Sequence, residues 1–192
     1  MNDRLAARQV AERTVYRGLV VDLRIQTVEF ADGERRDREI VVHPGAVAIV
    51  ALDGDDLVLV RQHRAPAGRV LLEIPAGTRD RGPDGSSEAP ALTARRELAE
   101  ETGLRADTWR HLGTFWTTPG FTTETMDLYL ATDLATEGDA QPAEDERIEV
   151  ARVPWARALE MIETGEIADA KSIVGILWLA RLLERGDRPA RA

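Results

Sequence analysis

The sequence predicts an α/β protein, an α/β/α sandwich around a mixed sheet, with an N-terminal antiparallel strand appendage. Strand-like stretches rich in β-branched and aromatic residues lie on both sides of a central stretch with helical periodicity. Two further helical stretches follow the last strand. One strand-like stretch, Ala46–Leu52, is apolar almost throughout, as is typical of a strand that is buried on both faces. Helices on both sides of a sheet bury such a strand, and this favours the sandwich.

Composition and charge restrict the classes of function. The chain has 192 residues, 43% hydrophobic and 31% charged, which is enough for one globular domain with an appendage. Its formal net charge of −9 argues against non-specific nucleic-acid binding. No cysteine is present, which excludes disulfides, thiolate catalysis and zinc–thiolate sites and fits a cytoplasmic location. The longest apolar run, Ile173–Ala180, is too short to cross a bilayer, so we expect no membrane association.

The N-terminal region predicts antiparallel strands. Residues Thr14–Val42 carry strand signals, and Ala31-Asp32-Gly33 is typical of a hairpin turn. A hairpin alone is only marginally stable in water, so we expect it to be covered by the main domain or by a second copy of the chain. We divide the chain into a strand region at 1–43, a main domain at 44–186 and a disordered tail at 187–192. The first region is the predicted dimerisation element.

The remaining elements follow from periodicity and turn residues. We predict six strands and three helices along the main domain, and an acidic loop at Asp133–Glu146. The predicted strands are Ala46–Leu52, Leu57–Gln62, Val70–Ile74, Thr108–Thr118, Thr123–Thr132 and Ile148–Val153, and the predicted helices are Ala89–Thr102, Trp155–Glu163 and Asp169–Arg185.

The helix at Ala89–Thr102 carries an unusual set of acids. Ser87 and Glu88 occupy the positions of a cap and a first-turn acid, and Gly103 ends the helix. Glu97, Glu100 and Glu101 share one face because residues three and four apart are helical neighbours. Three carboxylates on one face repel each other, so something must offset them, and neither adjacent arginine falls within that arc. Carboxylate oxygens are the ligands that a hard divalent cation such as Mg²⁺ prefers.

The spacing of these residues resembles that of a known family. Gly82, five residues, Glu88, seven residues, Arg96-Glu97-Leu98, one residue, Glu100-Glu101, one residue and Gly103-Leu104 together match the box of the Nudix hydrolases. The glycine that begins the box is either Gly82 or Gly77 of Pro75-Ala76-Gly77, in which case residues 78–87 are an insertion. The resemblance implies a Nudix-type fold and Mg²⁺-dependent hydrolysis, with Mn²⁺ also possible. It implies metal ligands at Glu97 and Glu101, a supporting ligand at Glu100, and an Arg96 that orients a glutamate.

Further residues resemble the ADP-ribose pyrophosphatase branch of this family. Leu72-Glu73-Ile74-Pro75-Ala76-Gly77 is similar to its LE-x-PAG strand end, where the alanine carbonyl binds metal, and Pro119 lies 15 residues beyond Leu104. The resemblance makes Glu144 the general base and Glu146 a further metal ligand, and it implies a homodimer. Leu19 replaces an aromatic residue that stacks on adenine elsewhere in the branch. The substrate-binding residues that it implies are Leu19, Arg38, Arg64, Thr78, Thr118, Pro119, Gly120 and Glu124.

The expected activity is hydrolysis of ADP-ribose to AMP and ribose 5-phosphate. Another sugar nucleotide, such as GDP-mannose or ADP-glucose, is the nearest alternative. A non-catalytic domain that senses a nucleotide is the alternative of a different class. Each outlying residue also has a structural interpretation: Arg38 as a strand-edge charge, Arg64 as a turn residue, and the acids at 144–149 as a solvated loop.

Overall fold

A computed structural model of the chain describes residues 5–82, 86–141 and 147–187. The chain divides into two compact units. The first comprises the described residues up to Gly45 together with Trp116–Thr125, and the second comprises Ala46–Phe115 and the residues from Met126 onward.

The first unit is built on a three-stranded antiparallel sheet. Its strands are β1 (Ala7–Arg17), β2 (Asp22–Phe30) and β3 (Arg35–Val42), in that spatial order. Gly33, with a φ of 87°, makes the turn between β2 and β3, where only a residue without a Cβ is unstrained. The prediction that strands begin at Thr14 and form a hairpin was therefore incomplete. Strand β1 begins seven residues earlier, and a turn closed by Gly18 N–H and the Val21 carbonyl separates it from β2.

The second unit contains a seven-stranded mixed sheet. Its strands are β4 (Ala46–Asp53), β5 (Asp56–Arg64), β6 (Arg69–Glu73), β7 (Ala76–Thr78), β8 (Leu104–Trp116), β9 (Thr125–Thr136) and β10 (Ile148–Pro154). The strand order is β10-β5-β4-β9-β8, with β6 paired to β5 and β7 paired to β4. Strands β4 and β9 are parallel, and the pairs of β5 with β4, β6 and β10 are antiparallel.

Three helices cover the two faces of this sheet: α1 (Pro90–Thr102), α2 (Trp155–Glu163) and α3 (Ala170–Glu184). Alternate residues of β4 enter different cores, because successive side chains of a strand point to opposite faces. Val47 and Ile49 pack with Ala94 and Leu98 of α1. Ala48, Val50 and Leu52 pack on the other face with apolar residues of α2 and α3, including Met161, Ile176 and Leu179. The predicted α/β/α sandwich is confirmed.

Helix α3 approaches the sheet closely at Gly175. A Cβ at this position would lie 2.9 Å from both Ile74 Cδ1 and Val50 Cγ2, closer than carbon atoms pack. The glycine that interrupts the apolar run therefore serves helix–sheet packing. None of the described helices is both long enough and apolar enough to cross a membrane.

Local details of the central helix differ from the prediction. Its bounds are confirmed, and Gly103 ends it with a φ of 68°. However, the N-cap is Ala89, which makes no side-chain capping bond, and Glu88 bonds to side chains within the helix instead. Strand β7 was not predicted because three residues, Ala-Gly-Thr, carry no periodic signal. Strand β9 continues through Thr136, so the predicted acidic loop begins later than Asp133.

Candidate active site

The short strand β7 lies against the acidic face of α1. The Ala76 N–H donates a hydrogen bond of 3.0 Å to Oε2 of Glu101. Gly77 packs directly on the carboxyl group of Glu97, where a Cβ would overlap the carboxyl atoms. Glu97 and Glu101 are only 9% and 2% exposed, respectively. Two carboxylates are therefore held at low exposure between a helix and a strand end.

Arg96 joins the carboxylates of this face. Its Nη1 donates to Glu97 Oε1 at 2.8 Å and to Glu100 Oε2 at 2.9 Å, and its Nη2 donates to Glu88 Oε2 at 2.9 Å. Nη2 also lies 3.4 Å from the carbonyl oxygen of Thr78. Although Arg96 is outside the helical arc of the three acids, its long side chain reaches two of them. Arg96, which the resemblance expects to orient one glutamate, therefore bonds to more than one.

The electrostatics of this cluster favour the charged forms of Arg96 and Glu88. Partial burial would lower the pKa of Arg96, but its hydrogen bond with Glu88 and the charge of Glu97 raise that pKa above its ordinary value. The hydrogen bond from Arg96 lowers the pKa of Glu88, and a bond from Thr93 Oγ1 lowers it further. The guanidinium thus stays charged, and its geometry fixes the rotamers of three glutamates.

The donor chemistry of the site suits a hard divalent cation. The carboxylates of α1 and the main-chain oxygens of β7 supply oxygen atoms, and the contact of Gly77 with Glu97 brings strand and helix close enough to share an ion. Within the ranges given for the structure, no three His, Cys, Asp or Glu side chains are grouped as a metal site. A cation would therefore take a mixed set of side-chain and main-chain oxygens with water.

The described parts of the predicted insertion 78–87, residues 78–82 and 86–87, bond to each other beside α1. Arg81 and Ser87 form an antiparallel bridge, Glu88 N–H donates to the Asp80 carbonyl at 2.7 Å, and Gly82 N–H donates to the Ser86 carbonyl at 2.7 Å. Arg79 Nε donates to the carbonyl of Glu88 at 2.7 Å. Of the two candidate box glycines, Gly77 contacts a box glutamate, whereas the N–H of Gly82 bonds to the Ser86 carbonyl.

A second cluster of charges surrounds Arg64, at the end of β5. Nε and Nη2 of Arg64 donate to Glu73 at 3.0 and 2.8 Å, and Lys171 Nζ donates to Glu73 Oε2 at 2.5 Å. Burial would raise the pKa of Glu73, but the bond from Arg64 and the charge of Lys171 outweigh it and hold that pKa below its ordinary value. Sequence analysis did not predict that Glu73 and Lys171 form ion pairs around Arg64. The available signal was that Lys171 is the single lysine of the chain.

The other predicted substrate residues, apart from Thr78, belong to the first unit. Leu19 is fully exposed, and Arg38 is an exposed residue of β3 whose Nη1 bonds to the Asp37 carbonyl. The Thr118 carbonyl accepts hydrogen bonds from Phe121 and Thr122 N–H, which closes a turn that contains exposed Pro119 and Gly120.

Glu124, which is half-buried, is the most constrained of these first-unit residues. It accepts a bond of 2.6 Å from Thr117 Oγ1 and lies 3.5 Å from Nδ1 of His43. The first unit therefore brings Glu124 and His43 together, while Leu19 and Arg38 remain at its surface.

Glu144 and Glu146, the predicted base and metal ligand, lie outside the described residues. The residues that flank them are placed. Gln141 N–H donates to the carbonyl of Glu100 on α1 at 2.9 Å, and Ile148 pairs with Gln62 of β5. The described residues on the two sides of this segment are therefore bonded to α1 and to the central sheet, respectively.

The chain is similar to known proteins over most of its length. Residues 42–174 match the NUDIX domain family. The chain is 39% identical to an ADP-ribose pyrophosphatase of Bacillus subtilis (strain 168), over 91% of this chain and 93% of that protein. It is 36% identical to a methanol dehydrogenase activator of Bacillus methanolicus, over 90% and 91%. It is 33% identical to a GDP-mannose pyrophosphatase of Enterobacter sp. (strain 638), over 76% and 78%.

A solved structure described as an ADP compounds hydrolase superposes with a TM-score of 0.81 and 24% identity, covering 95% of this chain and 97% of that one. This likeness concerns the fold. The family match covers residues 42–174, and a relative is 39% identical over 91% of the chain. The protein therefore belongs to the Nudix family.

Proposed function

We propose that this protein hydrolyses the pyrophosphate of a nucleoside diphosphate sugar, with ADP-ribose as the substrate and AMP and ribose 5-phosphate as the products. One observation carries the proposal. Glu97 and Glu101 are nearly buried on one face of α1, and each is held by a specific partner, Arg96 and the Ala76 N–H, respectively. Two carboxylates held at low exposure on one helix face are suited to a polyphosphate substrate that arrives with a divalent cation.

The residues that would hold this cation are Glu97 and Glu101, with Glu100, the carbonyl of Ala76 and Glu146 in support. We propose Mg²⁺, with Mn²⁺ as a substitute. When bound, the cation supplies charge neutralisation at the pyrophosphate and lowers the pKa of water. The role of Arg96 is to hold the carboxylates of Glu97 and Glu100 in fixed rotamers, because its Nη1 bonds to both.

The substrate contacts in this proposal come from two groups of residues. Arg64 and Thr78 of the second unit would face the phosphates, and a guanidinium suits this because it donates two parallel hydrogen bonds to phosphate oxygens. From the first unit, Leu19 and Arg38 would contact the adenosine half of the substrate. The turn at Thr118, Pro119 and Gly120 would adjoin the substrate with Glu124.

We assign the general base to Glu144. Its carboxylate would accept a proton from the attacking water as the bridging P–O bond breaks, and the proton would leave with a phosphate product. The hydrogen bond from Gln141 N–H to the carbonyl of Glu100 supports this assignment. It places the start of the segment that carries Glu144 beside α1. Glu146 would contact the cation.

GDP-mannose is a second candidate substrate. A relative at 33% identity bears the name GDP-mannose pyrophosphatase. ADP-ribose and GDP-mannose share a pyrophosphate, which would lie near the carboxylates of α1. They differ in the base and the sugar. The nucleotide specificity would therefore be set by residues outside the Nudix box.

A screen of sugar nucleotides tests the proposal. Purified protein is incubated with ADP-ribose, ADP-glucose and GDP-mannose in Mg²⁺ or Mn²⁺, and released phosphomonoester is measured after phosphatase treatment. Glu97→Gln is the control for contaminating activity. The expected result is preferential hydrolysis of ADP-ribose that is lost in the variant. Hydrolysis of none of the three, or equal hydrolysis by the variant, would contradict the proposal.

We further propose that the protein is a cytoplasmic homodimer formed through its N-terminal sheet. The first unit exposes several large apolar side chains, including Val15 at 49%, Tyr16 at 63% and Val20 at 48%, and a second copy would bury them. The absence of cysteine supports a reducing compartment. Sedimentation velocity at micromolar concentration should show twice the mass of the chain. A monomer under those conditions would contradict the proposed dimer.

A further inference from the structure

The first turn of α3 carries an unexplained lysine. The sequence contains 25 lysine and arginine residues, and only Lys171 is a lysine. Its side chain is 13% exposed, and its ammonium group bonds to two carboxylates, Glu73 at 2.5 Å and Asp169 at 2.9 Å. Burying an ammonium group is unfavourable unless its charge is compensated. The position therefore requires an explanation beyond surface charge.

These residues form one chain of charges that ends at Arg64. Glu73 Oε2 accepts from Nζ of Lys171 and from Nη2 of Arg64, at 2.5 and 2.8 Å, so a single oxygen joins the two cations. The side chain of Glu73 is 1% exposed, whereas that of Arg64 is 36% exposed. The charge chain thus runs from a nearly buried ammonium group to a guanidinium that reaches solvent.

We propose that Lys171 and Glu73 are positioning residues that hold the guanidinium of Arg64 for the phosphates of the substrate. This inference rests on the proposed function, in which Arg64 contacts those phosphates. The carboxylate of Glu73 takes the Nε and Nη2 edge of the guanidinium. Because the guanidinium is planar, its Nη1 edge then points away from Glu73. Lys171 fixes Glu73, and Glu73 fixes the plane and direction of Arg64.

Charge balance explains why a lysine is needed as well as a carboxylate. Arg64 and Lys171 contribute two positive charges, and Glu73 and Asp169 contribute two negative charges. Without Lys171 the cluster carries one net negative charge, and that charge would oppose an approaching pyrophosphate. Glu73 alone would orient Arg64 but would also neutralise its positive charge. The positive charge of Lys171 compensates for this neutralisation.

The same turn of α3 also fixes the strand end that leads to the carboxylates of α1. Asp169 is the N-cap of α3, and its Oδ2 accepts from both Lys171 Nζ and Ser172 N–H. Ser172 Oγ in turn accepts from Ile74 N–H at 2.9 Å. Glu73 and Ile74 therefore both bond to this turn just before the segment that places Ala76 on Glu101. These hydrogen bonds restrict the position of Lys171, and a positioning residue must itself be held in place.

A double-mutant cycle between Lys171 and Arg64 tests the proposal. Lys171→Met keeps the length of the side chain and removes the charge. With ADP-ribose as substrate we expect it to raise KM by about tenfold with little change in kcat. In an Arg64→Ala background the same substitution should change KM by less than about twofold, because Lys171 would have nothing left to position. An equal effect in both backgrounds, or an unchanged KM in the first, would overturn the proposal.

Controls separate this role from stability and from the proposed function. Arg181→Met removes an exposed cation from the same helix and should leave KM unchanged. If Lys171→Met fails to fold, Glu73→Gln replaces it in the cycle with the same expected coupling to Arg64. The affinity for ADP-ribose is also measured by calorimetry in EDTA, where no turnover is needed. A wild-type protein that binds but does not hydrolyse ADP-ribose would refute the proposed function, while the coupling in affinity would still decide the role of Lys171.

Discussion

The main-chain N–H of Ala76 donates a hydrogen bond of 3.0 Å to Oε2 of Glu101. This bond ties the three-residue strand β7 to the acidic face of α1. Glu101 is 2% exposed, so the bond also satisfies one oxygen of a nearly buried carboxylate. The neighbouring residue, Gly77, meets the neighbouring acid, Glu97. The strand end and the helix therefore form one rigid constellation.

Gly77→Ala should reduce activity and leave the fold intact. A Cβ at position 77 would overlap the carboxyl group of Glu97, and that carboxyl group can move because it is the end of a flexible side chain. We expect kcat to fall by about 10- to 100-fold with a change in unfolding free energy below about 1 kcal/mol.

Gly138→Ala is the matched control for this experiment, since nothing lies within 4 Å of a Cβ at that position. Kinetics and urea unfolding of both variants provide the comparison. Near-native activity of Gly77→Ala would show that the position of Glu97 does not matter.

Glu97→Gln and Glu101→Gln should each lower turnover by about 100-fold or more. The reason is that an uncharged amide binds a divalent cation more weakly than a carboxylate does. The activity that remains should need more Mg²⁺. Titration of activity against Mg²⁺ measures both effects. Glu163→Gln, at the exposed end of α2, is the control and should behave as wild type. A variant at position 97 or 101 with an unchanged Mg²⁺ requirement would place the cation elsewhere.

Sequence analysis predicted α1 well because its bounds depend on local signals. Pro90 suits a first turn, and Gly103 supplies the positive φ that ends the helix. Strand β4 was equally clear, since burial on both faces makes it apolar along its length.

The resemblance implied that Arg96 orients a glutamate, but bonds to all three of Glu97, Glu100 and Glu88 were not predicted, because they depend on where a long side chain folds back rather than on spacing. The cluster of Arg64, Glu73 and Lys171 was missed for a different reason. Its members are up to 107 positions apart, as follows from their numbers, and only the packing of α3 on the sheet brings them together.

Glu73→Gln should make stability less dependent on pH in the acidic range. The pKa of Glu73 in the folded protein is lower than its ordinary value of 4.5. The ionised carboxylate therefore contributes stability above that value, and the contribution is lost as the pH falls through the lower, folded pKa. We expect wild type to exceed Glu73→Gln by about 1–3 kcal/mol in unfolding free energy at neutral pH.

This difference should shrink steadily as the pH falls below 4.5. Urea unfolding at a series of pH values measures it, and the exposed Glu163→Gln serves as the reference substitution. A difference between wild type and Glu73→Gln that stays constant on acidification would mean that the charge of Glu73 does not stabilise the fold.

Glu144→Gln and Glu146→Gln should have different kinetic effects. A base that accepts a proton only in the transition state changes kcat and leaves KM nearly unchanged, so we expect Glu144→Gln to lower kcat by about 100-fold or more. Glu146→Gln should instead raise the Mg²⁺ concentration needed for half-maximal activity. The segment that carries both residues starts at Gln141, whose N–H is bonded to the carbonyl of Glu100, and this supports a position near the cation. Glu137→Gln, on the described side of the segment, is the control.

If Glu144→Gln is nearly wild type and Glu146→Gln is inactive, the two roles are exchanged. If both are nearly wild type, the base lies elsewhere, and Glu100 is the next residue to test because Arg96 already holds its carboxylate beside Glu97.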